Sequence, residues 1–392
     1  MPRFPKFSSH ISDLPNSVFE KYKDKFRAMG KNMIPFHLGD TFLQPPFDLP
    51  LEDEFTERFK YYNRYCNTYG ISPLLKLLGE KVNHENGFSE YTSQNVMITH
   101  GAINGLQATL TAIVEPGEHV MALTPCWPFF LGMVKMGGAE VIEVPFYQSL
   151  IESDDNLDIE ALLESSITSR TVALYVNSPN NPTGKILTRE QMGIIGNFAK
   201  KHQLWVISDE AYEHFIYEDK PHIPFAVGTG LFDQTITIYT FSKSFLVAGF
   251  RLGYLVAQRE WIQQINKTIV HEIYSASSVA QYMMLEAVKS KEQWLPKVRE
   301  TYRKKRDLVL EHLQMDVPKP EAGYYFYFSL GPYYKDNYSS LFEKILDAGV
   351  ALAPGGDFGH HYPDYVRLCF TSTDDEKLIK GIERLNQVIK GV

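Results

Sequence analysis

From about residue 96 to residue 256 the sequence repeats one pattern, a short apolar run followed by a stretch whose apolar residues have helical spacing. The short runs are NVMIT, EHVMALTP, AEVIEVPF, RTVALYVN, LWVISD, QTITIYT and FRLGYLVA. REQMGIIGNFAKKHQ, which lies between two of them, has the period of an amphipathic helix. Buried strands that alternate with helices predict an α/β fold whose sheet is largely parallel.

The rest of the chain predicts a second, smaller unit. After Gln258 the pattern is mainly helical until EAGYYFYFSL, and VALAPGGDFG and YVRLCFT follow as further strand-like runs. At 392 residues, the chain is also longer than one compact core usually supports. We predict an N-terminal segment, 1–45, that joins the small domain, a large domain, 46–285, and a small α+β domain, 286–392.

Composition and charge exclude several classes of function. The net charge is −8 and no basic face is evident, so we expect no nucleic acid partner. No apolar run reaches membrane-spanning length, and the N-terminus lacks the apolar segment of a signal peptide, so we expect a cytoplasmic protein without a membrane partner. The three cysteines are far apart and the histidines are scattered, so we expect neither a disulfide framework nor a metal site.

The residues that could bind a ligand or take part in a reaction lie at the ends of the predicted strands. In open α/β sheets, ligands bind beyond the carboxyl ends of the strands. Gly101, Ala102 and Ile103 open a helix there, and the free N–H groups of a helix N-terminus favour a phosphate. The residues that follow the other strands are Trp127, Asn181, Asp209, Tyr212, Ser242, Lys243 and Arg251.

A phosphate cradle, a flat ring, a carboxylate, a phenol, an amide and two cations together match pyridoxal 5'-phosphate (PLP). The amine of Lys243 would form a Schiff base with the aldehyde, and Asp209 would keep the ring nitrogen protonated, which makes the ring an electron sink. Taken alone, Lys243 has the simpler interpretation of a surface lysine, and Asp209 that of a helix cap. Their joint occurrence at strand ends favours the cofactor.

The other strand-end residues complete this hypothesis. Tyr212 and Asn181 would donate hydrogen bonds to the phenolate oxygen of the ring. Arg251 would pair with the phosphate through two hydrogen bonds, and Trp127 would stack on the ring face. Catalysis would then depend mainly on Lys243, Asp209 and Tyr212.

Five short motifs occur in an order that resembles one enzyme family. They are NPTG (181–184), DEAY (209–212), SK (242–243), GFRLGY (249–254) and VRLCF (366–370). Over nearly its whole length the chain resembles the fold-type I, class I and II aminotransferases, the aspartate aminotransferase superfamily. The resemblance implies a PLP-dependent transferase fold, with a large domain built on a mainly parallel sheet between helices and a smaller α+β domain.

The resemblance also implies roles for residues that the strand pattern does not single out. Thr240 and Ser242 correspond to phosphate ligands, and Arg367 corresponds to the arginine that binds the substrate α-carboxylate. Tyr65, in YCNTYG, corresponds to a tyrosine that reaches the phosphate in the neighbouring subunit, which implies a homodimer with shared active sites. The implied substrate-binding residues are Gly39, in HLGD, Asn181 and Arg367.

The implied reaction moves an amino group from an L-amino acid to a 2-oxo acid by a ping-pong mechanism, with Lys243 carrying the proton. Some relatives bind a distal carboxylate with a lysine in the Gly101 turn, where this chain has Ile103. HEIYSASS supplies no arginine for the same purpose. An apolar or aromatic donor is therefore favoured, while Asp40 and Thr41 leave a polar or cationic donor open.

Two other classes of function stay open at this point. Another PLP reaction on the same fold is the nearer one: a C–S or aminocyclopropane-carboxylate-synthase-like lyase, or an oxidase. A non-catalytic ligand sensor is the more distant one. Such sensors carry a DNA-binding domain, for which the roughly 40 residues before the cofactor domain are too few and too rich in proline.

Overall fold

The computed structural model describes residues 14, 20–47, 63–334 and 337–391, and a seven-stranded sheet organises them. Its strands are β1 Val96–Thr99, β2 His119–Thr124, β3 Glu140–Pro145, β4 Thr171–Asn177, β5 Trp205–Asp209, β6 Thr235–Thr240 and β7 Gly253–Val256. Their order across the sheet is β1-β7-β6-β5-β4-β2-β3. All residues of β1, β2, β6 and β7 are buried, as their mainly apolar or β-branched character predicts.

One strand of this sheet runs against the others. The pairings of β2 with β3 and β4, of β4 with β5 and of β5 with β6 are parallel, whereas β7 pairs antiparallel with both β6 and β1. The start of β7 therefore lies at the edge where the other strands end. This reversal brings Arg251, two residues before β7, to the same edge as Asp209 and Thr240.

Helices cover both faces of the sheet. Up to residue 272, the helices in the described part of the chain are α1 Lys23–Met29, α2 Ser72–His84, α3 Gly101–Ile113, α4 Pro128–Met136, α5 Tyr147–Glu152, α6 Ile159–Ser166, α7 Arg189–Lys201, α8 Phe225–Thr229, α9 Phe241–Ser244 and α10 Arg259–Glu272. The alternation along β2 shows the two-sided burial. Val120 and Ala122 belong to the core with α3, α4 and α10, while Met121 and Leu123 belong to the core with α5, α6 and α7. The predicted α/β fold is confirmed.

A smaller antiparallel sheet lies further along the chain. Its strands are β8 Tyr325–Ser329, β9 Ala353–Pro354 and β10 Tyr365–Cys369, in the order β8-β10-β9. The helices of this region are α11 Ser278–His312, α12 Tyr338–Asp347 and α13 Asp375–Lys390. The domain boundaries stay a prediction, and the one at 285 falls inside α11.

Local differences from the predicted elements are small. The pattern QTITIYTFSKSF predicts a strand that ends near Lys243, but β6 ends at Thr240, because the Thr240 hydroxyl accepts a hydrogen bond from the N–H of Ser242 and caps α9. IPFHLGD predicts a short strand, and the structure shows there a single bridge between Ile34 and Val350. Residues 56–86 also have helical spacing, interrupted at YGISP; of this predicted helix the structure shows α2, and residues 56–62 lie outside the described part of the chain.

Within the described ranges, every helix is too short or too polar to cross a membrane. Nor do three or more histidine, cysteine or acidic side chains come together there as a metal site would require.

Candidate active site

A cavity opens at the edge where the parallel strands end. The predicted residues that line it are Ala102, Ile103, Trp127, Asn181, Asp209, Tyr212, Thr240, Ser242, Lys243 and Arg251. These residues come from the ends of several strands, so the arrangement follows the rule for open α/β sheets. Leu106, Asn177, Ala211 and Ala248 complete the lining.

Lys243 lies in α9, and hydrogen bonds fix both its backbone carbonyl and its side-chain amine. Tyr324 donates its hydroxyl hydrogen bond to the Lys243 carbonyl at 3.0 Å, and the Lys243 amine donates to the carbonyl of Gly39 at 2.5 Å. Burial lowers the pKa of Lys243, which increases the fraction of neutral, nucleophilic amine. A lysine held in this way can act both as a nucleophile and as a base.

Asp209 is a buried carboxylate without a cationic partner among the described residues. The Tyr175 hydroxyl donates to its Oδ2 at 2.8 Å, and the N–H of Ala211 donates to its Oδ1 at 3.2 Å. Burial nevertheless raises the pKa of Asp209 to about 6. The carboxylate would therefore be stabilised by a cationic ligand in the cavity.

Tyr212 and Asn181 are both anchored through other polar residues. The hydroxyls of Tyr212 and Tyr325 are hydrogen-bonded at 2.6 Å. The N–H of Asn181 donates to the Oδ1 of Asn177 at 2.8 Å, and the side chain of Asn177 donates to the Asp209 carbonyl at 2.9 Å. These contacts hold the backbone of Asn181 and the phenol of Tyr212 at the cavity wall.

The N-terminus of α3 and Arg251 form a positively polarised corner of the cavity. Gly101 has a φ of +73°, and a Cβ at this position would lie 2.9 Å from Nη2 of Arg251. Arg251 itself has a φ of +53°, which is unusual for a residue with a side chain. Its Nη1 donates to the Ala248 carbonyl at 2.7 Å, and it forms no ion pair with the carboxylates that the structure describes. The corner suits an anion such as a phosphate.

Gly253, at the start of β7, permits the close backbone approach behind this corner. A Cβ there would lie 2.7 Å from the Tyr239 carbonyl oxygen and 2.8 Å from the amide nitrogen of Ala102. We therefore expect Gly253→Ala to lower the free energy of unfolding by about 1–3 kcal/mol through overpacking and to weaken PLP binding. Gly249→Ala is the matched control, because a Cβ there meets nothing within 4 Å. Equal denaturant midpoints for the two variants would contradict this prediction.

Arg367 is a buried guanidinium beside the cavity. It donates to Oδ1 of Asn181 at 3.0 Å and to the His37 carbonyl at 2.8 Å, while its buried Nε has no hydrogen-bond partner in the described residues. Its Cζ lies 4.2 Å from the ring centre of Tyr325. Burial and the Arg367 charge together lower the pKa of His37 to about 4, so no cationic histidine competes for an anion here. The guanidinium suits a carboxylate ligand.

Trp127, Gly39 and Tyr65 occupy three different positions relative to the cavity. Trp127 precedes α4 and lines the cavity, with its ring centre 5.3 Å from that of Phe129. Gly39 is outside the cavity lining, but its carbonyl accepts a hydrogen bond from the Lys243 amine. Tyr65 is 84% exposed, packs its ring on Tyr274 and is not part of the lining. Its predicted role in a neighbouring subunit stays a prediction.

The residues present fit PLP. The cavity combines an amine, a desolvated carboxylate and an anion-binding corner, and Gly101 and Gly253 keep that corner free of side chains. Each of these features has a counterpart in the aldehyde, the ring nitrogen and the phosphate of PLP. None of them requires a group that PLP lacks.

The structure adds residues that sequence analysis missed. Asn177 ends the run RTVALYVN, so its position at a strand end was a usable signal. Tyr175 gave no such signal, because its contact with Asp209 depends on the register that pairs Tyr175 with Ile207 and Asn177 with Asp209. The roles of Tyr324 and Tyr325 depend on packing between the two sheets and follow from no local pattern.

Comparison with known proteins gives consistent results. Residues 44–385 match the family model described as aminotransferase class I and II. An aspartate aminotransferase of Pyrococcus abyssi is 32% identical over 92% of each chain. An aromatic-amino-acid aminotransferase of Thermococcus litoralis is 32% identical over 88% of this chain and 90% of its own. The solved aspartate aminotransferase of Thermus thermophilus with maleate has a TM-score of 0.86, at 30% identity over 98% and 99% of the two chains.

Proposed function

Because this chain belongs to the aminotransferase class I and II family, a family of PLP-dependent enzymes, we propose that it moves an amino group from an apolar or aromatic L-amino acid to a 2-oxo acid by a ping-pong mechanism. The observation that supports this most is the meeting of Lys243, Asp209 and Arg251 around one cavity, with Arg367 beside it. Lys243, Asp209 and Arg251 are complementary to the aldehyde, the ring nitrogen and the phosphate of PLP. Arg367 is complementary to the α-carboxylate of an amino acid.

Lys243 has two tasks in this proposal. Bound PLP would supply an aldehyde to carry the amino group and a ring that accepts the electron pair left on the substrate Cα. Lys243 would hold PLP covalently before substrate arrives, and its released amine would then take the proton from the substrate Cα. The lowered pKa of Lys243 keeps its Nζ available as a base. Asp209 would stabilise a positive charge on the ring nitrogen.

Arg367 would bind the α-carboxylate of the substrate and fix the orientation of its Cα. The unpartnered Nε and the two N–H groups now held by Asn181 and His37 can form a bidentate contact with a carboxylate. Such a clamp aligns the bond that must break with the ring of the cofactor.

We expect Arg367→Leu to lower kcat/KM for amino acids by about 10²- to 10³-fold, because a buried charged contact is lost. Arg367→Lys keeps the charge but not the planar fork, so we expect an intermediate loss. Steady-state kinetics are measured with an amino acid and with the amine that lacks its α-carboxylate. The comparison separates a loss of carboxylate binding from a general loss of activity. If the variants lose equal activity toward both substrates, Arg367 does not bind the carboxylate.

The surroundings of the cavity mouth favour an apolar donor side chain. The cations that line the cavity are Lys243 and Arg251, and both are used by PLP in this proposal. Ile103 lines the cavity and is 37% exposed, and Phe129, whose ring contacts that of the lining residue Trp127, is 47% exposed. A distal carboxylate would meet apolar surface here and lose hydration without gaining a partner.

A panel of single L-amino acids tests the donor class. With PLP-loaded protein and 2-oxoglutarate or pyruvate as acceptor, we expect keto acid from leucine or phenylalanine at a higher kcat/KM than from aspartate. Ile103→Lys should raise the value for aspartate, and Ile103→Leu is the matched control. A wild-type preference for aspartate would contradict the donor assignment. Release of ammonia without transfer, or oxygen uptake, would replace transfer by elimination or oxidation.

We also propose a homodimer in which the partner subunit's Tyr65 completes the phosphate site. Tyr65 is 84% exposed in the single chain although its ring packs on Tyr274, which supports this because its surface remains open to a second subunit. Tyr65→Phe should then weaken PLP binding although the residue is absent from the cavity of its own chain.

A further inference from the structure

A buried network of charged and polar side chains lies behind the short helix that carries Lys243. The Lys81 amine donates to Oε2 of Glu213 at 2.6 Å and to Oδ1 of Asn86 at 2.8 Å, and Asn86 in turn donates to the same Glu213 oxygen at 2.9 Å. The side chains of Lys81 and Glu213 are 4% and 6% exposed. An ion pair so deeply buried costs much desolvation, and apolar residues in its place are often as stable.

The network reaches the lysine helix through one histidine. Nδ1 of His214 lies 3.6 Å from Oε1 of Glu213 and 2.8 Å from the hydroxyl of Ser244, with which it is hydrogen-bonded. Ser244 is the residue after Lys243 and ends α9. Burial lowers the pKa of His214 to about 4, so the ring is neutral at pH 7 and this contact stays the same through the neutral range.

The same network also touches the strand that leads into the lysine helix. The Lys81 amine lies 5.0 Å from the ring centre of Tyr239, which is in β6, and the Tyr239 ring stacks on that of Tyr254 at 4.9 Å. The segment around Lys243 is thus contacted by this network before and after the lysine. None of Lys81, Glu213, His214 and Ser244 lines the cavity.

We propose that Lys81, Glu213, His214 and Ser244 form a positioning network that fixes the backbone of Lys243 at the distance its amine needs for proton transfer. The inference rests on the proposed function of Lys243. It assigns no contact with substrate or cofactor to these four residues. Their effect is on the geometry of α9, where a displacement well below 1 Å changes the rate of a proton transfer.

Ser244→Ala tests the proposal with little risk to folding, because it removes one hydroxyl. In PLP-loaded protein we expect the single-turnover rate of keto acid formation to fall about 10-fold, with KM changed less than about two-fold. Amide hydrogen exchange should become faster in residues 241–246. The matched control is Ser149→Ala, which removes a hydrogen bond of 2.7 Å to the Pro145 carbonyl away from the cavity and should leave both readouts unchanged.

His214→Leu supplies the second half of a double-mutant cycle, and His214→Asn should restore part of the rate because its amide can replace Nδ1. If the network acts as one unit, Ser244→Ala combined with His214→Leu is no slower than the slower single variant. If the rate losses of Ser244→Ala and His214→Leu multiply in the double variant, or if Ser244→Ala and Ser149→Ala have equal rates, the positioning role is overturned. Neither result would affect the proposed function. Wild-type protein that forms no keto acid would overturn the proposed function and this inference together.

Discussion

Replacing Lys243 with alanine is expected to lower the rate of amino-group transfer by at least about 10³-fold, because in the proposed mechanism this one side chain supplies both the nucleophile and the base. The variant should still fold, since the change removes a desolvated amine that makes one hydrogen bond, to the Gly39 carbonyl. It should also still bind PLP through Arg251 and the N-terminus of α3, but without covalent attachment. Single-turnover formation of keto acid measures the loss.

A small primary amine in solution should restore part of this rate, since it can enter the space of the missing side chain. Lys289→Ala is the matched control, because Lys289 is an exposed helix lysine that pairs with Glu286. An alanine variant at 243 that keeps wild-type activity would remove the basis of the mechanism. No rescue by any amine, in a variant that still binds PLP, would argue that Lys243 acts only structurally.

Asp209→Asn is expected to lower kcat by about 10²- to 10³-fold, the range seen when one preorganised electrostatic contact is removed. Asparagine keeps the shape of the side chain but cannot stabilise a positive charge on the ring nitrogen. The loss should appear in kcat more than in KM, because the charge matters most when the ring accepts electrons. Glu210→Gln would not serve as a control, since Glu210 pairs with His222; Asp316→Asn, the same change at an exposed residue outside the cavity lining, does.

The pH dependence of stability gives Asp209 a second test, on protein without PLP. Its pKa in the folded chain is about 6, above the usual value of 3.8, so between these values the folded state binds more protons than the unfolded state. The contribution of Asp209 to the free energy of unfolding is therefore present below pH 4 and is lost as the pH rises to about 6. We expect this decline to be absent in Asp209→Asn and to be reduced when PLP is bound. Identical pH profiles in all three samples would contradict the assignment.

The positions of Asp209 and Lys243 at one edge of the sheet could be predicted from local sequence patterns. Both follow apolar runs, and parallel strands bring the residues at their ends to one edge, so the sequence predicted a shared cavity there. Arg251 reaches the same edge only because β7 is antiparallel, a reversal that no local pattern indicates. The fold class and the family are confirmed, while the roles of individual residues stay predictions.

The contacts that the sequence did not predict join distant parts of the chain. The Lys243 amine meets the Gly39 carbonyl, and Arg367 meets Asn181, across separations of 204 and 186 residues. The first contact depends on where the segment around Gly39 packs, and the second on how the small sheet, which carries Arg367, packs against the large one. The proposed role of Tyr65 would depend on a second subunit as well, so no pattern within one chain predicts it.

The most direct test of the central claim is to identify the residue that carries PLP. Borohydride reduction of PLP-loaded protein fixes the cofactor to its lysine, and mass spectrometry of the peptides then locates it. We predict one phosphopyridoxyl group per chain, on Lys243, and its absence when an excess of amino donor is added before reduction. A label on another lysine, or none on protein loaded with PLP, would contradict the account.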